Sequence, residues 1–401
     1  MAKKHNNKNS KSNFKNQNCG KAFGHQFKMD CDRNVIIGGV MTAKAIAGIS
    51  SIQMVGNGSG EVIGKIFKGK NHTVGSILHG NICDGEKIID EVIIGCEGEN
   101  SYSINCHGNP IIVENILELL KKFDVKIVDA EEIIENLAKE KFGKNIIAVE
   151  AETAAAKAAT LDGAKIIQYQ TKMGLLQTAE WLKKHIDLMH IEDIKVAIGQ
   201  VLADSKIASY FINGTKVVLA GPPNSGKSTL FNYLCGKEKA IVADVAGTTR
   251  DWLSAKIRLK YIQAEIFDTA GLDAALSSQN VIDEQSQRRA AELAASADLV
   301  LYVTEHRTQN LEHRIQNKEI LVFNKCDLGG NVSVDGFKVS AKTGEGVKEL
   351  LDGIESALGV ADFDLKKAVC FTDRQRKILE QSAESRCQKE VKDFITELLN
   401  G

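Results

Sequence analysis

The run Gly221-Pro-Pro-Asn-Ser-Gly-Lys-Ser228, entered from the apolar residues 217–220, constrains the chain more than any other stretch. A glycine, four spacers, Gly-Lys and a hydroxyl residue make a loop that cradles phosphates. Gly221 and Gly226 leave room for backbone N–H groups to turn inwards, Lys227 can reach the β- and γ-phosphates, and Ser228 offers one Mg²⁺ position. Asn224, Ser225 and Thr229 complete the loop and the turn after it. Residues 229–236 predict a helix with Leu230 and Leu234 on one face and Gly236 as its stop. Its positive end faces the phosphates.

From about 215 to 358 strands and helices alternate. Strands are expected at 216–220, 264–267, 299–303 and 319–323, and helices after Lys227, near 289–295 and after Gly346. That alternation predicts a mainly parallel sheet with helices on both faces. Ligands of such a sheet sit beyond the carboxyl ends of its strands, and the remaining motifs fall there. Asp268-Thr269-Ala270-Gly271 follows a strand: the acid can hold the Mg²⁺ shell and Gly271 can offer an N–H to the γ-phosphate. Asn324-Lys325-Cys326-Asp327 follows another. The Asp327 carboxylate can accept from N1–H and the 2-amino group of guanine, which adenine cannot match, and the Lys325 stem can cover the ring. Ser340-Ala341-Lys342 completes the ring pocket through backbone N–H groups aimed at O6. Gly247-Thr248-Thr249 lies where a switch loop belongs, with Thr249 as the second Mg²⁺ hydroxyl. Four elements in this order point to GTP.

The flanking sequence is plainer. Residues 1–33, rich in Asn and Lys, predict a disordered tail, a solvated segment rather than a basic arm on RNA. Short β-rich runs broken by glycine, at 49–55, 73–78 and 88–94, with a helix opened by Asn109-Pro110, predict a small α+β domain over 34–120. Ala-, Glu- and Lys-rich helical spacing fills 121–213 and resumes over 361–401, around a nucleotide domain at 214–360. The 401 residues are enough for such an organisation. A net charge of -1 gives no overall basic field to recruit nucleic acid. Nine cysteines without metal-ligand spacing suggest reduced thiols in a cytoplasmic protein. No apolar run approaches the roughly 18 residues that span a membrane.

Leu272 stands where Ras-like proteins carry a water-positioning glutamine. Here the sequence resembles the tRNA modification GTPases of the MnmE (TrmE) family. The phosphate loop through Thr229, the run Ala240-Ile-Val-Ala243-Asp244-Val245-Ala246-Gly247-Thr248-Thr249-Arg-Asp251, and Asp268 to Leu272 match its G domain closely. The resemblance implies a P-loop GTPase domain inserted in an α-helical domain, preceded by a folate-binding α+β domain. It implies a K⁺ ion beside the phosphates, held by Asn224 with Ala243, Val245 and Thr248, when two G domains meet face to face. It also implies a switch acid that orients water, for which Asp283 or Glu284 is the nearest candidate. Homodimerisation, a flavoprotein partner, tRNA as the object of modification and 5-formyltetrahydrofolate as a further ligand, with Glu99 as a contact, follow from the same source. His107 matches a family position, as a structural histidine or as a ligand. Three departures stand out. The family's folate-contacting arginine falls on Gln53. The segment linking its first two domains is not recognisable between Leu120 and Glu150. Its Cys-Ile-Gly-Lys tail has no counterpart in Glu-Leu-Leu-Asn-Gly401, and Cys387 stands in a helical pattern. A GTP-switched assembly protein of the same lineage, without the modifying chemistry, is therefore the alternative reading.

Overall fold

The computed structural model describes residues 35–43, 47–69, 73–237, 253–268, 292–293, 295–305, 318–329 and 335–401. They fall into two compact units, Met1–Ile133 and Ile134–Gly401.

In the first unit β1 (Ile37–Val40), β2 (Ile49–Val55), β3 (Phe67–Lys68), β4 (Ile77–Asp84), β5 (Lys87–Gly98), β6 (Ser101–His107) and β7 (Lys126–Ile127) form one sheet in the order β3-β4-β5-β6-β2-β1-β7. Every pairing is antiparallel except β1 with β7. Alternation dictates the buried face: Val92, Ile94 and Cys96 of β5 point to the core while Ile93 between them is exposed. Helices α1 (Ser59–Ile66) and α2 (Pro110–Lys121) supply the rest of that core through Val62, Ile63, Ile66, Ile116, Leu119 and Leu120. Asn109 caps α2, its Oδ1 accepting from the Ile111 N–H at 2.9 Å, with Pro110 in the first helical position.

Two expectations change here. The run at 73–78 is a strand only from Ile77. Residues 73–76 turn instead, with the Ser76 Oγ donating to the Thr73 carbonyl at 2.6 Å and Gly75 at φ 84°. And because β7 pairs with β1, the sheet continues past residue 120, where the boundary was expected.

Five helices follow: α3 (Ala130–Phe142), α4 (Ile146–Lys157), α5 (Leu161–Gln170), α6 (Gly174–His185) and α7 (Ile191–Asn213). After them come β8 (Thr215–Ala220), α8 (Lys227–Lys237), β9 (Leu253–Arg258), β10 (Gln263–Asp268), β11 (Leu299–Glu305), β12 (Glu319–Asn324), β13 (Phe337–Lys338) and α9 (Val347–Ala357). Their sheet runs β13-β12-β11-β8-β10-β9, parallel except for the antiparallel edge hairpin β9–β10. α8 continues through Gly236 to Lys237 rather than stopping at the glycine, which does not adopt a positive φ. The chain closes with α10 (Asp373–Glu384) and α11 (Gln388–Asn400), and Cys387 sits at the N-cap of α11, outside the helix. No helix among the described residues is long and apolar enough to cross a membrane.

The last two helices share a core with the helices that precede the nucleotide-type sheet. Ile147, Leu175, Leu182, Ile194 and Ile198 pack with Ile378, Leu379, Val391, Ile395 and Leu398. Polar groups fix the register of the return. Gln170, fully buried, donates to the Ile166 and Lys367 carbonyls at 2.9 and 3.1 Å and accepts from the Leu175 and Val369 N–H groups. Glu150 of α4 takes two bonds from Arg374, Nε at 2.7 Å and Nη2 at 3.0 Å, and a third from Gln375 Nε2 at 2.7 Å. Its carboxylate is only 18% exposed, so removing it strands a guanidinium and an amide. Glu150→Ala is expected to lower the unfolding free energy by about 3 kcal/mol, the range for breaking a largely buried charged network. Urea unfolding would read this as a lower midpoint at unchanged slope. A midpoint matching the unsubstituted protein would show that the network adds nothing.

Candidate nucleotide site

The loop between β8 and α8 is shaped by what its glycines permit. Gly221 has φ 132°, and a Cβ there would stand 2.0 Å from the Val303 carbonyl oxygen; at Gly226, φ 92°, it would stand 2.2 Å from Asn324 Nδ2. Neither position tolerates a side chain. Asn224 between them has φ 63°, a left-handed conformation that asparagine enters more readily than most residues. Lys227 is almost fully buried, and its Nζ donates to the Gly221 and Pro222 carbonyls at 2.9 Å each. The ammonium thus lies across the inside of the loop, where a phosphate chain would sit. Ser225 is buried with an Oγ that has no hydrogen-bond partner among the described residues. Ser228 and Thr229 lie exposed in the first turn of α8, at its positive end.

The base-side residues converge on the same loop. Asn324, buried at the end of β12, donates from Nδ2 to the Ser225 carbonyl at 2.9 Å and accepts at Oδ1 from the Ala341 N–H at 3.0 Å. One amide therefore laces the phosphate loop to the 340–342 loop. Lys325, at φ 64°, donates from Nζ to the Asn224 carbonyl at 2.8 Å and to Glu305 Oε1 at 2.5 Å. Asp327 lies exposed in the short 3-10 turn Cys326–Leu328. Gly344, φ 86°, closes the 340–346 turn on α8, since a Cβ there would meet the Tyr233 hydroxyl at 1.7 Å. Asp268 ends β10, buried and level with Leu219 of β8.

One expectation is narrowed. Of the three N–H groups assigned to guanine O6, that of Ser340 donates to the Glu345 carbonyl at 2.9 Å and that of Ala341 to Asn324. Lys342, exposed, is left as the one whose N–H has no partner among the described residues. Ala243, Asp244, Val245, Ala246, Gly247, Thr248, Thr249, Thr269, Ala270, Gly271, Asp283 and Glu284 lie outside the described residues, as does most of the helix expected near 289–295.

In the first unit, Glu99 lies exposed in the turn between β5 and β6. Gln53 is buried, and its amide donates to Glu97 Oε2 and Ser101 Oγ at 3.0 Å each. The buried Asp90 holds His107 twice, at Nδ1 and at the backbone N–H, both 2.8 Å. That bidentate hold fits the structural role for His107. Burial, with Asp90 adding repulsion, pushes the neighbouring Cys106 thiol up to about 11.

Sequence reasoning missed Glu305 and Tyr233. Glu305 follows the apolar run at 299–303, so only its pairing across the sheet with Asn324, next to Lys325, reveals it. Tyr233 reads in sequence as one more residue of an amphipathic helix.

A phosphate cradle at the start of a helix, an acid ending the adjacent strand and a base-reading pair at the end of a third define a P-loop GTPase. Residues 216–325 match the family described as "50S ribosome-binding GTPase". A tRNA modification GTPase MnmE from Endomicrobium trichonymphae is 30% identical over 81% of this chain and 82% of its own length. One from Clostridioides difficile is 28% identical over 90% and 89%. Among solved structures, the G domain of the T. maritima FeoB iron transporter is 28% identical over 36% of this chain and 98% of that one, with a TM-score of 0.28. The chain belongs to the tRNA modification GTPase MnmE family, and it is a GTP hydrolase.

Proposed function

We propose that this chain is a cytoplasmic, K⁺-stimulated GTPase that serves modification of the tRNA wobble uridine, along the 5-carboxymethylaminomethyluridine route. It works as a homodimer through its N-terminal and G domains, with a flavoprotein partner. The observation that carries the reading is likeness to MnmE proteins over four fifths of the chain or more, 81% of it for one relative and 90% for another. Support for a G domain inserted in a helical domain comes from the shared core of α4, α6 and α7 with α10 and α11.

The cradle fits a nucleoside triphosphate: Gly221 and Gly226 keep the loop open, and the Lys227 ammonium already lies against carbonyls inside it. Lys227 and the loop N–H groups bind the phosphates, Lys325 covers the ring, and Asp327 accepts from its edge. Ser228 and Thr249 would hold Mg²⁺. Asn224, with Ala243, Val245 and Thr248, would hold K⁺, which supplies positive charge where the β–γ bridge becomes negative. Asp283 or Glu284 orients the attacking water. GTP turnover is expected to be several-fold faster in KCl than in NaCl at equal ionic strength; equal rates would remove the K⁺ assignment. Mass spectrometry of tRNA nucleosides from a deletion strain is expected to show the wobble modification lost, and an unchanged profile would defeat the modification reading.

Gln53 favours the second reading, a GTP-switched assembly protein without the modifying chemistry. Its amide is engaged by Glu97 and Ser101, where the family resemblance expects an arginine for folate. Calorimetry with 5-formyltetrahydrofolate separates the two: measurable heat favours tRNA modification, with Glu99 as a contact, and none favours the switch.

A further inference from the structure

A groove of about 670 Å³ runs between the start of α5 and the β9–β10 hairpin, away from the phosphate loop's own residues. Lys165, Lys256, Arg258 and Lys260 line it, with Asp162 as its acid and Tyr261 as its aromatic side chain. Asp162 is matched by Lys165 at 2.7 Å. The side chains of Lys256 and Arg258 make no ion pair or hydrogen bond among the described residues, and both residues are exposed. Glu265 lies opposite Lys256 on β10 and Gln263 opposite Arg258, so one carboxylate borders this stretch of the hairpin. The Lys260 ammonium sits 4.6 Å from the Tyr261 ring centroid. Its pKa is raised, first by the Tyr261 side chain and less by Glu355 and Asp352.

The spacing narrows the ligand. Ile257 is buried between Lys256 and Arg258, so the two cations stand on the same face two residues apart, and Lys260 continues the series into the turn. A two-residue step along a strand is about 6.7 Å, comparable to the separation of successive phosphates along a nucleic-acid strand. A single small anion would need the cations to converge, whereas these are strung out along an edge strand. The tip of the hairpin is anchored, because the Tyr261 N–H donates to the buried Glu355 Oε1 at 2.8 Å. The row of charge is therefore held by the fold rather than waving from a loose loop. A positively charged groove with an aromatic side chain at its end has the features that track a nucleic-acid backbone.

We propose that the groove between α5 and the β9–β10 hairpin, carrying Lys256, Arg258 and Lys260, docks the phosphate backbone of the tRNA. The assignment rests on the tRNA-modification reading above and adds to it the surface that grips the RNA. The residues lie outside the phosphate loop, the Mg²⁺ positions and the base reader, so GTP turnover does not depend on them.

The test uses the full chain and its double variant Lys256→Glu/Arg258→Glu, titrated with fluorescently labelled tRNA at several KCl concentrations. The expected result is a tenfold or greater loss of tRNA affinity, a salt dependence shallower by about two phosphate contacts, and basal GTP turnover within twofold of the unsubstituted chain. Lys256→Arg/Arg258→Lys, which keeps both positive charges, is expected to retain binding, and its loss there would overturn the proposal. Inorganic phosphate at 10-fold excess over labelled tRNA is expected to displace little; full displacement would make the groove a free-phosphate site and overturn the proposal. Unsubstituted chain that binds tRNA, with a double variant that binds it equally well, overturns the groove alone, also where that variant instead loses a protein partner. Unsubstituted chain that binds no tRNA overturns the groove together with the tRNA-modification reading.

Discussion

Asp327→Asn will lose GTP affinity by roughly a thousandfold and gain XTP, the cost expected when a site built to accept two N–H groups presents a donor to one of them. Asp327 sits exposed in the middle of its 3-10 turn, so the exchange of one oxygen for an amide leaves packing alone. The two structural partners of the motif, Asn324 with its bonds to Ser225 and Ala341 and Lys325 with its bonds to Asn224 and Glu305, stay in place. The change is therefore one of choice rather than of fold. Equilibrium titration with GTP and XTP reads it directly, and unchanged GTP affinity would mean that Asp327 does not read the base.

Lys227→Ala carries the second large effect. The ammonium is the one charge buried within the phosphate loop, held against the Gly221 and Pro222 carbonyls at 2.9 Å. Charge-assisted bonds to phosphate oxygens in a partly desolvated site place the expected loss at about a hundredfold in GTP affinity, with turnover falling further because charge at the γ-phosphate grows in the transition state. The melting temperature should move little, since the two carbonyls it releases lie at a loop mouth open to water. Nucleotide titration and a GTP turnover assay check both parts. Wild-type affinity in this variant would contradict the phosphate-loop assignment.

How far the sequence announces this structure differs between its parts, for physical reasons. The site was legible because phosphate binding is unforgiving. Gly221 and Gly226 cannot carry a side chain, Lys227 must be a cation, and each motif ends an apolar strand that alternation exposes to view. β8, β10, β11 and β12 are therefore found within one or two residues. The edge strand β9 was not, because Leu253-Ser-Ala-Lys-Ile-Arg258 buries a single side chain, Ile257, and shows no alternating apolar face. α1 was missed for a different reason: Val62, Ile63 and Ile66 have helical spacing, but Gly60 and Gly64 beside them read as a loop. Only the sheet that buries those three residues makes the helix worth forming. The role of Glu305 depends on β11 and β12 lying side by side, a contact that no local pattern encodes. The same holds for the Ser340 and Ala341 N–H groups, which donate to the Glu345 carbonyl and to Asn324 Oδ1.

The central claim is that this pocket selects guanine triphosphate through its edge and not merely any triphosphate through its loop. Displacement of a fluorescent GDP analogue by GTP and by ATP, at equal Mg²⁺ and K⁺, measures it in one experiment. GTP is expected to compete at least a thousandfold better than ATP, the discrimination open to a site whose acceptor is left unpaired by the wrong base. Equal competition by the two nucleotides would contradict the account.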